Sequence, residues 1–342
     1  MEIAFTNRIK DSLFKKRHNL VDWLGRSSSE EKDECLACEG ETCLQPHLEV
    51  IETTLDQVEH DQFGVCTVCQ GKIEQNLIEM DYTSSVCLEC MSRDDRTALE
   101  NELELSRKLQ KAFMGTEIPA VPGMDLAVFS RPAQVLSGDY FDVLPFRSGE
   151  YGLVVADAMG HGLSASIVMA SLQTAFRTLT LDSHVLEEIL SKIHHLYVHN
   201  INATIFATVF LGRFDPLTYN FTYCNSGHNP AILFQKQTSA VKWLGPTGPA
   251  VGIIEDYRIH SATERLSPGD MVVLYSDGAP DTSNPQGDEF GRQRLAEIVR
   301  QNQDLQPREL IDLLKRALND FSAGQPIGDD TTLVVGKVQA QN

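Results

Sequence analysis

Short apolar runs that follow one another without an intervening helix constrain the fold of this chain more than any other feature. Strand-like runs occur at 124–131, 139–145, 151–157, 204–213, 218–224, 231–236, 257–263, 270–276 and 331–338. Helical patterns in the same part of the chain occupy 162–180, 184–199, 291–302 and 306–321. Parallel neighbouring strands need a long crossover, whereas antiparallel strands can be joined by a short turn. The pattern therefore predicts an antiparallel α+β fold.

The first 90 residues follow a different pattern, because seven of the eight cysteines lie before residue 91. A chain of 342 residues also exceeds the usual size of a single hydrophobic core. We predict four parts: an N-terminal segment at 1–34, a cysteine-rich region at 35–93, a linker helix at 94–118 and a C-terminal domain at 119–339. A further helix is expected near 48–59, between two groups of cysteines.

Charge and hydropathy exclude several functional classes. The formal net charge of −19 argues against a general nucleic-acid-binding protein, which normally carries a basic surface. No run of about 18 apolar residues suggests a membrane-spanning helix. The first residues, Met1-Glu2-Ile3-Ala4-Phe5, lack the basic and apolar segments of a secretory signal. We therefore expect a cytoplasmic protein with no direct nucleic-acid contact and no membrane contact.

The spacing of four cysteines is typical of a structural zinc site. They form the pattern Cys66-x2-Cys69-x17-Cys87-x2-Cys90, in which two CxxC knuckles can close a tetrahedral tetrathiolate site. A small region with little apolar core needs such a metal to fold. The alternative is that these thiols are reactive or form disulfides.

A second group of possible ligands precedes the first. Cys35, Cys38, Cys43 and His47 supply the three thiolates and one imidazole that a second structural zinc requires. Redox-active or free thiols are an equally acceptable interpretation of the same residues.

The linker helix carries an apolar stripe. Leu99, Leu103, Leu109 and Phe113 recur at spacings close to those of one helical face,, and Pro119 is expected to end the segment. The stripe predicts either packing on the same chain or contact with a second copy.

Four short acidic motifs lie among the predicted strands. They are Ser137-Gly138-Asp139-Tyr140-Phe141-Asp142, Ala156-Asp157-Ala158-Met159-Gly160-His161-Gly162, Ser276-Asp277-Gly278 and Gly328-Asp329-Asp330-Thr331. Asp157 and Asp277 directly follow apolar runs, so each carboxylate is expected where a buried strand ends. Several such carboxylates together would form an oxygen-rich pocket for Mg²⁺ or Mn²⁺. Singly, each motif could be a turn, a cap or the start of a helix.

Together and in this order, the motifs resemble those of the PPM-type metal-dependent serine/threonine protein phosphatases, in their SpoIIE-like branch. The resemblance covers about 105–339 and includes Leu109-Gln110, Phe206-Ala207-Thr208-Val209-Phe210 and Asn225-Ser226-Gly227-His228-Asn229-Pro230. It implies a two-layered antiparallel β-sandwich flanked by helices, with a dinuclear Mn²⁺ or Mg²⁺ centre at one end.

The resemblance also implies roles for individual residues. Asp157 would bridge two cations, Asp277 and Asp329 would complete one site, and Asp139 with the backbone carbonyl of Ala158 would serve the other. A metal-activated water would then attack phosphorus without a protein nucleophile.

Ser137 and Ala158 depart from the family pattern, which commonly has glycine at these two positions. A carbonyl ligand at Ala158 is expected to be tolerated if the backbone φ there is negative. Asp142, Asp330, His161 and His228 are expected to have structural rather than catalytic roles.

The cysteine-rich region has a resemblance of its own. Phe63-Gly64-Val65-Cys66-x2-Cys69 and Ile73 resemble the DksA/TraR-type zinc finger over about 48–92. The transcriptional role of that family is not carried over, because no coiled-coil arm is identifiable. We interpret the region as a regulatory or interaction module that binds zinc.

The expected function is hydrolysis of phosphoserine or phosphothreonine on a small regulatory protein, such as an anti-sigma antagonist. In related phosphatases the linker helix takes part in dimerisation, so we also expect a homodimer contact through the linker helix here. Two alternatives remain open. One is a catalytically silent partner-switching protein, and the other is a zinc-dependent regulator associated with transcription.

Overall fold

The computed structural model describes residues 10, 13, 14, 17, 45–60, 62–74, 77, 78, 84–114, 118–133, 135–160, 162–200, 206–254, 256–325 and 328–340. The chain divides into two compact units, Met1–Asn101 and Glu102–Asn342. The four-part division drawn from the sequence stays a prediction, and the predicted second zinc ligands Cys35, Cys38 and Cys43 and the side chain of His47 lie outside the described residues.

The first unit contains helix α1 (Gln45–Glu59), as predicted, followed by the two cysteine knuckles. A small apolar cluster of Val58, Phe63, Ile73, Leu77 and Ile78 surrounds the buried Cys66 and Cys87. Helix α2 (Arg93–Met114) occupies the predicted linker. None of its residues is buried, and Leu109 and Phe113 are each more than half exposed.

The second unit is built from ten strands: β1 (Met124–Arg131), β2 (Asp139–Pro145), β3 (Tyr151–Ala158), β4 (Ala207–Phe214), β5 (Asn220–Ser226), β6 (Ala231–Gln235), β7 (Ala240–Leu244), β8 (Ala262–Arg265), β9 (Met271–Tyr275) and β10 (Thr331–Val338). They form two five-stranded sheets, in the orders β1-β10-β9-β6-β7 and β2-β3-β4-β5-β8. Every strand pair is antiparallel. The predicted antiparallel α+β fold is confirmed.

Three apolar layers hold the second unit together. The middle layer contains residues of both sheets, such as Val155, Phe210, Val272 and Val334, so the sheets pack face to face,. Helices α3 (Gly162–Asp182) and α4 (Leu186–Asn200) cover the outer face of the β2–β8 sheet. Helices α5 (Arg292–Gln301) and α6 (Pro307–Ser322) cover the outer face of the other sheet. This is the predicted sandwich flanked by helices.

Helix α6 shows how local sequence sets these elements. Pro307 occupies the first turn, and Gln306 and Glu309 form a capping box that satisfies backbone N–H groups at the helix start,. Leu310 and Leu314, four residues apart, are both fully buried against the sheet,. None of the helices in the described part of the chain is long and apolar enough to span a bilayer.

Two strand predictions differ from the structure. Strand β7 was not predicted because Lys242 interrupts its apolar residues and because every residue except Leu244 is exposed or half-buried at a sheet edge,. The strand predicted at 257–263 is instead β8 at Ala262–Arg265. Tyr257 and Ile259 produced the apolar pattern, but they pack against the helix-side layer from an irregular segment.

Candidate metal centre

The four predicted aspartates come together from both sheets. Asp139 begins β2 and lies opposite Asp157 of β3 in the strand register. Asp277 lies two residues after the end of β9, and Asp329 lies two residues before the neighbouring strand β10. A hydrogen bond joins the two sheets here, because the hydroxyl of Ser276 donates to Asp139 Oδ2 at 2.6 Å.

Electrostatics show how closely these carboxylates approach each other. Burial, followed by the charge of Asp157, raises the pKa of Asp139 well above its usual value. Burial and the charges of Asp277, Asp329 and Asp330 raise the pKa of Asp157 to about 8. Burial and the charge of Asp329 raise the pKa of Asp277 to about 6. Such a cluster is strongly destabilised when fully ionised unless cations neutralise it.

The donor set fits hard divalent cations. Asp139 Oδ2 accepts the Ser276 hydrogen bond, but its Oδ1 is buried and has no hydrogen-bond partner. A buried carboxylate oxygen without a partner is costly. A divalent cation would satisfy it, and carboxylate oxygens are the ligands that Mg²⁺ and Mn²⁺ prefer.

The sequence predicts that alanine is tolerated at position 158 if the backbone φ there is negative, and the structure meets this condition. Ala158 is the last residue of β3 and is fully buried, and its N–H donates to Gly138 O at 3.2 Å. Ala158 is not among the described non-glycine residues with positive φ. Alanine is therefore tolerated at this position, and the ligand role of its carbonyl stays a prediction. His161 lies outside the described residues.

Asp330 organises the loop that presents Asp139. Its Oδ1 accepts the Ala133 N–H at 2.7 Å, and its Oδ2 accepts the Ser137 hydroxyl at 2.9 Å and the Gly138 N–H at 2.6 Å. Its carboxylate is therefore fully used by the β1–β2 loop, which agrees with the structural role expected for it.

The backbone is packed tightly around this network. A Cβ atom added to Gly278 would lie 2.1 Å from the backbone oxygen of Asp330. Only glycine lets the turn after Asp277 approach the start of β10 so closely. The hydroxyl of Ser276 also accepts the Thr332 N–H at 2.9 Å, which fixes the same two strand ends.

His228 and Asp142 have the structural contacts expected of them. His228 is buried, with Nδ1 2.8 Å from the Thr208 hydroxyl and Nε2 3.1 Å from the Tyr275 carbonyl, and burial lowers its pKa to about 4. Asp142 accepts hydrogen bonds from the hydroxyl of Tyr140 at 2.8 Å and from Arg177 Nε at 2.7 Å. Both side chains connect structural elements.

The first unit contains a separate candidate site. The sulfur atoms of Cys66, Cys69, Cys87 and Cys90 all lie within 4.8 Å of one another. Backbone N–H groups, first that of Cys69 and then that of Cys87, lower the pKa of the Cys66 thiol to about 6. Four converging thiols on two knuckles fit tetrahedral zinc coordination.

Comparison with known proteins identifies the second unit. The family profile described as Stage II sporulation protein E (SpoIIE) matches residues 147–339, more than half of the chain. The chain belongs to the SpoIIE family. The matched range contains Asp157, Asp277 and Asp329, and the strand register adds Asp139 from just before it.

Named relatives of this chain agree with this assignment. The chain is 26% identical over 242 residues to phosphoserine phosphatase RsbU of Bacillus subtilis, covering 69% of this chain and 70% of RsbU. It is 28% identical to phosphoserine phosphatase RsbP of the same organism over 53% of this chain, but it spans less than half of RsbP, at 46%.

Solved structures show the same fold. The RsbU and RsbW domains of Rv1364c from Mycobacterium tuberculosis match with a TM-score of 0.56 and 27% identity, over 66% of this chain and 62% of that one. The SiaA-PP2C domain of Pseudomonas aeruginosa matches with a TM-score of 0.63 and 18% identity, over 73% of this chain and all of that domain. The second unit therefore has the PPM (PP2C) phosphatase fold.

Sequence reasoning missed two residues near the centre. Ser276 stands beside Asp277 in the quoted motif, but only the structure shows its contact with Asp139. Arg131 precedes a Pro-Ala pair in the β1–β2 loop and lines a cavity that also contains Asp329. A lone arginine gave no signal, because the sequence shows no basic cluster around it.

Proposed function

We propose that this chain is a protein serine/threonine phosphatase that hydrolyses phosphoserine or phosphothreonine on a regulatory protein, with water activated by two Mn²⁺ or Mg²⁺ ions. One observation carries the proposal: four aspartates from two sheets converge at one edge of a SpoIIE-family domain, and one of their buried oxygens has no partner. Neither turn formation nor strand capping explains that arrangement.

The position of each residue supports the ligand role that we propose for it. Asp157 lies among the other three aspartates and would bridge the two cations. Asp277 and Asp329 would bind one cation from the β9–β10 side. Asp139 and the Ala158 carbonyl would bind the other from the β2–β3 side. Ser276 holds Asp139 Oδ2, so that Oδ1 points away from that hydrogen bond. The bound cations would lower the pKa of a water and stabilise charge on the transferred phosphoryl group.

The substrate class rests on the relatives. RsbU and RsbP are phosphoserine phosphatases, and we propose a phosphorylated partner-switching protein, of the anti-sigma antagonist kind, as the substrate here. A catalytically silent binding protein is the alternative. The retention of Asp139, Asp157, Asp277 and Asp329 at one site favours the enzyme.

The first unit is proposed to regulate this activity. The thiols of Cys66, Cys69, Cys87 and Cys90 would hold one structural zinc. We propose the domain bounds 35–93, 94–118 and 119–339 accordingly.

Helix α2 would form a homodimer contact, because Leu105, Leu109 and Phe113 are all exposed along it. Light scattering of the full chain tests the contact: replacing Leu109 and Phe113 with serine should convert a dimer to a monomer, and a monomeric wild type contradicts it.

The catalytic proposal is tested with Mn²⁺-dependent hydrolysis of p-nitrophenyl phosphate. Asp157→Asn and Asp277→Asn should each lower kcat at least about 100-fold, which is the loss seen when one group that stabilises transition-state charge is removed. Asp312→Asn is the matched control, because Asp312 lies on α6 and its carboxylate forms an ion pair with Lys315. Full activity of either site variant would show that the assignment is wrong.

Zinc regulation is tested in the full chain by Cys66→Ser combined with Cys87→Ser. Loss of zinc should change the rate of phosphatase activity while leaving the Mn²⁺ requirement in place. An unchanged rate after complete loss of zinc would leave the first unit without a regulatory role.

A further inference from the structure

A large polar cavity adjoins the metal centre. Its volume is about 580 Å³, and its walls include Asp329 and Asp281 on the side of the metal centre. The end of α6 contributes Asn319 and Ser322 to the lining. The metal chemistry described above uses only Asp329 among these residues, so most of the cavity has no assigned role.

Arg131 is the only cationic side chain among the described residues of this cavity. It ends β1 and lies opposite Thr331 in the strand register, two residues beyond Asp329. Its Nη1 donates to Asn319 Oδ1 at 3.3 Å, while its Nε is buried and has no hydrogen-bond partner. In the described part of the chain, no carboxylate lies within 4.0 Å of the guanidinium.

A guanidinium at the wall of a cavity, with no carboxylate beside it in the described part of the chain, indicates an anion site. Arg131 lines the cavity while its Nε is buried, so its Nη groups are the donors that a ligand in the cavity can reach. Paired Nη groups of a planar guanidinium match the two oxygens of a carboxylate or phosphoryl group. The net charge of the chain is −19, so a cation at this cavity without an acidic partner among the described residues is unusual.

The position of the guanidinium indicates that the anion bound by Arg131 is a different group from the phosphoryl group that is transferred. The described hydrogen bond of the guanidinium is with Asn319 on α6. The transferred phosphoryl group would lie at the cations that Asp157, Asp277 and Asp329 are proposed to hold. The cavity is also much larger than a phosphoryl group and can take several side-chain groups of a bound polypeptide.

We propose that this cavity is a substrate-specificity site, in which Arg131 binds an acidic group on residues that flank the phosphorylated serine or threonine. The inference rests on the proposed function and adds a preference to it. The acidic group is a carboxylate of aspartate or glutamate, or a second phosphoryl group on the same segment. Asn319 positions the guanidinium for this contact.

The test uses short phosphoserine peptides with glutamate, alanine or lysine on both sides of the phosphoserine, with p-nitrophenyl phosphate as the reference substrate. Each peptide is measured as a substrate and as a competitor of p-nitrophenyl phosphate, so that binding is detected even without turnover. A doubly phosphorylated peptide distinguishes a phosphoryl from a carboxylate ligand. The proteins are wild type, Arg131→Ala, Arg131→Glu and the control Arg316→Ala, because Arg316 lies on α6 but does not line the cavity.

Wild type should bind the glutamate peptide about tenfold more tightly than the alanine peptide, as expected for one charge-assisted contact. Arg131→Ala should abolish that ratio, Arg131→Glu should reverse it in favour of lysine, and Arg316→Ala should keep it. Melting temperatures of all four proteins exclude misfolding as the cause.

Two results would overturn the inference. Wild type that hydrolyses p-nitrophenyl phosphate but binds the glutamate and alanine peptides equally has no acidic specificity site. An equal loss for every substrate in Arg131→Ala would assign Arg131 to the transferred phosphoryl group. Absence of any Mn²⁺-dependent hydrolysis by wild type would instead contradict the proposed function itself.

Discussion

Replacing Asp330 with alanine should uncouple the loop before Asp139 from the start of β10. The change removes one carboxylate that accepts three hydrogen bonds, from Ala133 N, Ser137 Oγ and Gly138 N, all at 2.9 Å or less. Asp330 is 5% exposed, so water cannot readily replace the carboxylate. The donors at Ser137 and Gly138 are then left unsatisfied.

The magnitude follows from these contacts. A hydrogen bond to a charged group contributes about 1.5–3 kcal/mol, and neighbouring bonds do not add fully. Ala133 is only half-buried, and its N–H can be hydrated after the change. We therefore expect Asp330→Ala to lower the free energy of unfolding by about 3–4 kcal/mol, which corresponds to a fall in Tm of roughly 10 °C for a domain of this size. Asp330→Asn keeps one acceptor and should cost about half as much.

The assay is thermal and urea unfolding of the full chain, followed by near-ultraviolet circular dichroism, with Ser137→Ala as the comparison. Ser137→Ala removes one of the three hydrogen bonds to Asp330 and the bond that the hydroxyl accepts from the Asp139 N–H, and should cost about 2 kcal/mol,. Mn²⁺ binding, measured by the electron paramagnetic resonance signal of free Mn²⁺, gives an independent reading. Because the loop holds Asp139, Asp330→Ala should weaken binding more than Ser137→Ala does. An Asp330→Ala protein within 1 kcal/mol of wild type and with unchanged Mn²⁺ affinity would refute this account of the loop.

Three further predictions concern other parts of the molecule. Burial lowers the pKa of His228 to about 4, below the value near 6.5 in the unfolded chain, so its stabilising contribution is complete above pH 6.5 and declines as the pH falls toward 4. In urea unfolding, the stability of wild type relative to His228→Gln should therefore fall by about 2 kcal/mol between pH 6.5 and 5, and a pH-independent difference contradicts this. Gly278→Ala should displace the Asp330 backbone and raise the Mn²⁺ concentration needed for half-maximal activity, whereas Gly245→Ala, whose Cβ meets no atom within 4 Å, should not. Metal analysis should find one zinc per chain if Cys66 and its three neighbours are the only ligands, and two if Cys35, Cys38, Cys43 and His47 form the second site.

The sequence alone determined the class of fold and the approximate place of most strands and helices. Local patterns carry that information, because a strand or helix that faces a core needs apolar residues at its own period. Helix α6, with its capping residues and buried Leu310 and Leu314, was predictable within two residues for this reason. The order of the acidic motifs likewise indicated the SpoIIE family, whose profile matches a range that contains three of the four motifs.

Edge and irregular segments escaped the same reasoning. Strand β7 lies at a sheet edge, and Lys242 interrupts its short apolar sequence, so its local signal is weak. Tyr257 and Ile259 gave the apolar pattern of a strand but meet the core from an irregular segment. In both cases, the position of the residues in the tertiary structure overrides the local signal.

Only the tertiary structure decided how the candidate site is assembled. The register of β2 and β3 sets Asp139 opposite Asp157, and Ser276 joins Asp139 to the strand ends of the other sheet. Arg131 and Asn319 lie 188 positions apart in the chain and meet only because α6 packs on the sheet that contains β1. Hydrogen bonds, desolvation and charge repulsion act over a few ångströms of space, so contacts between residues distant in sequence leave no periodic pattern from which they could be read.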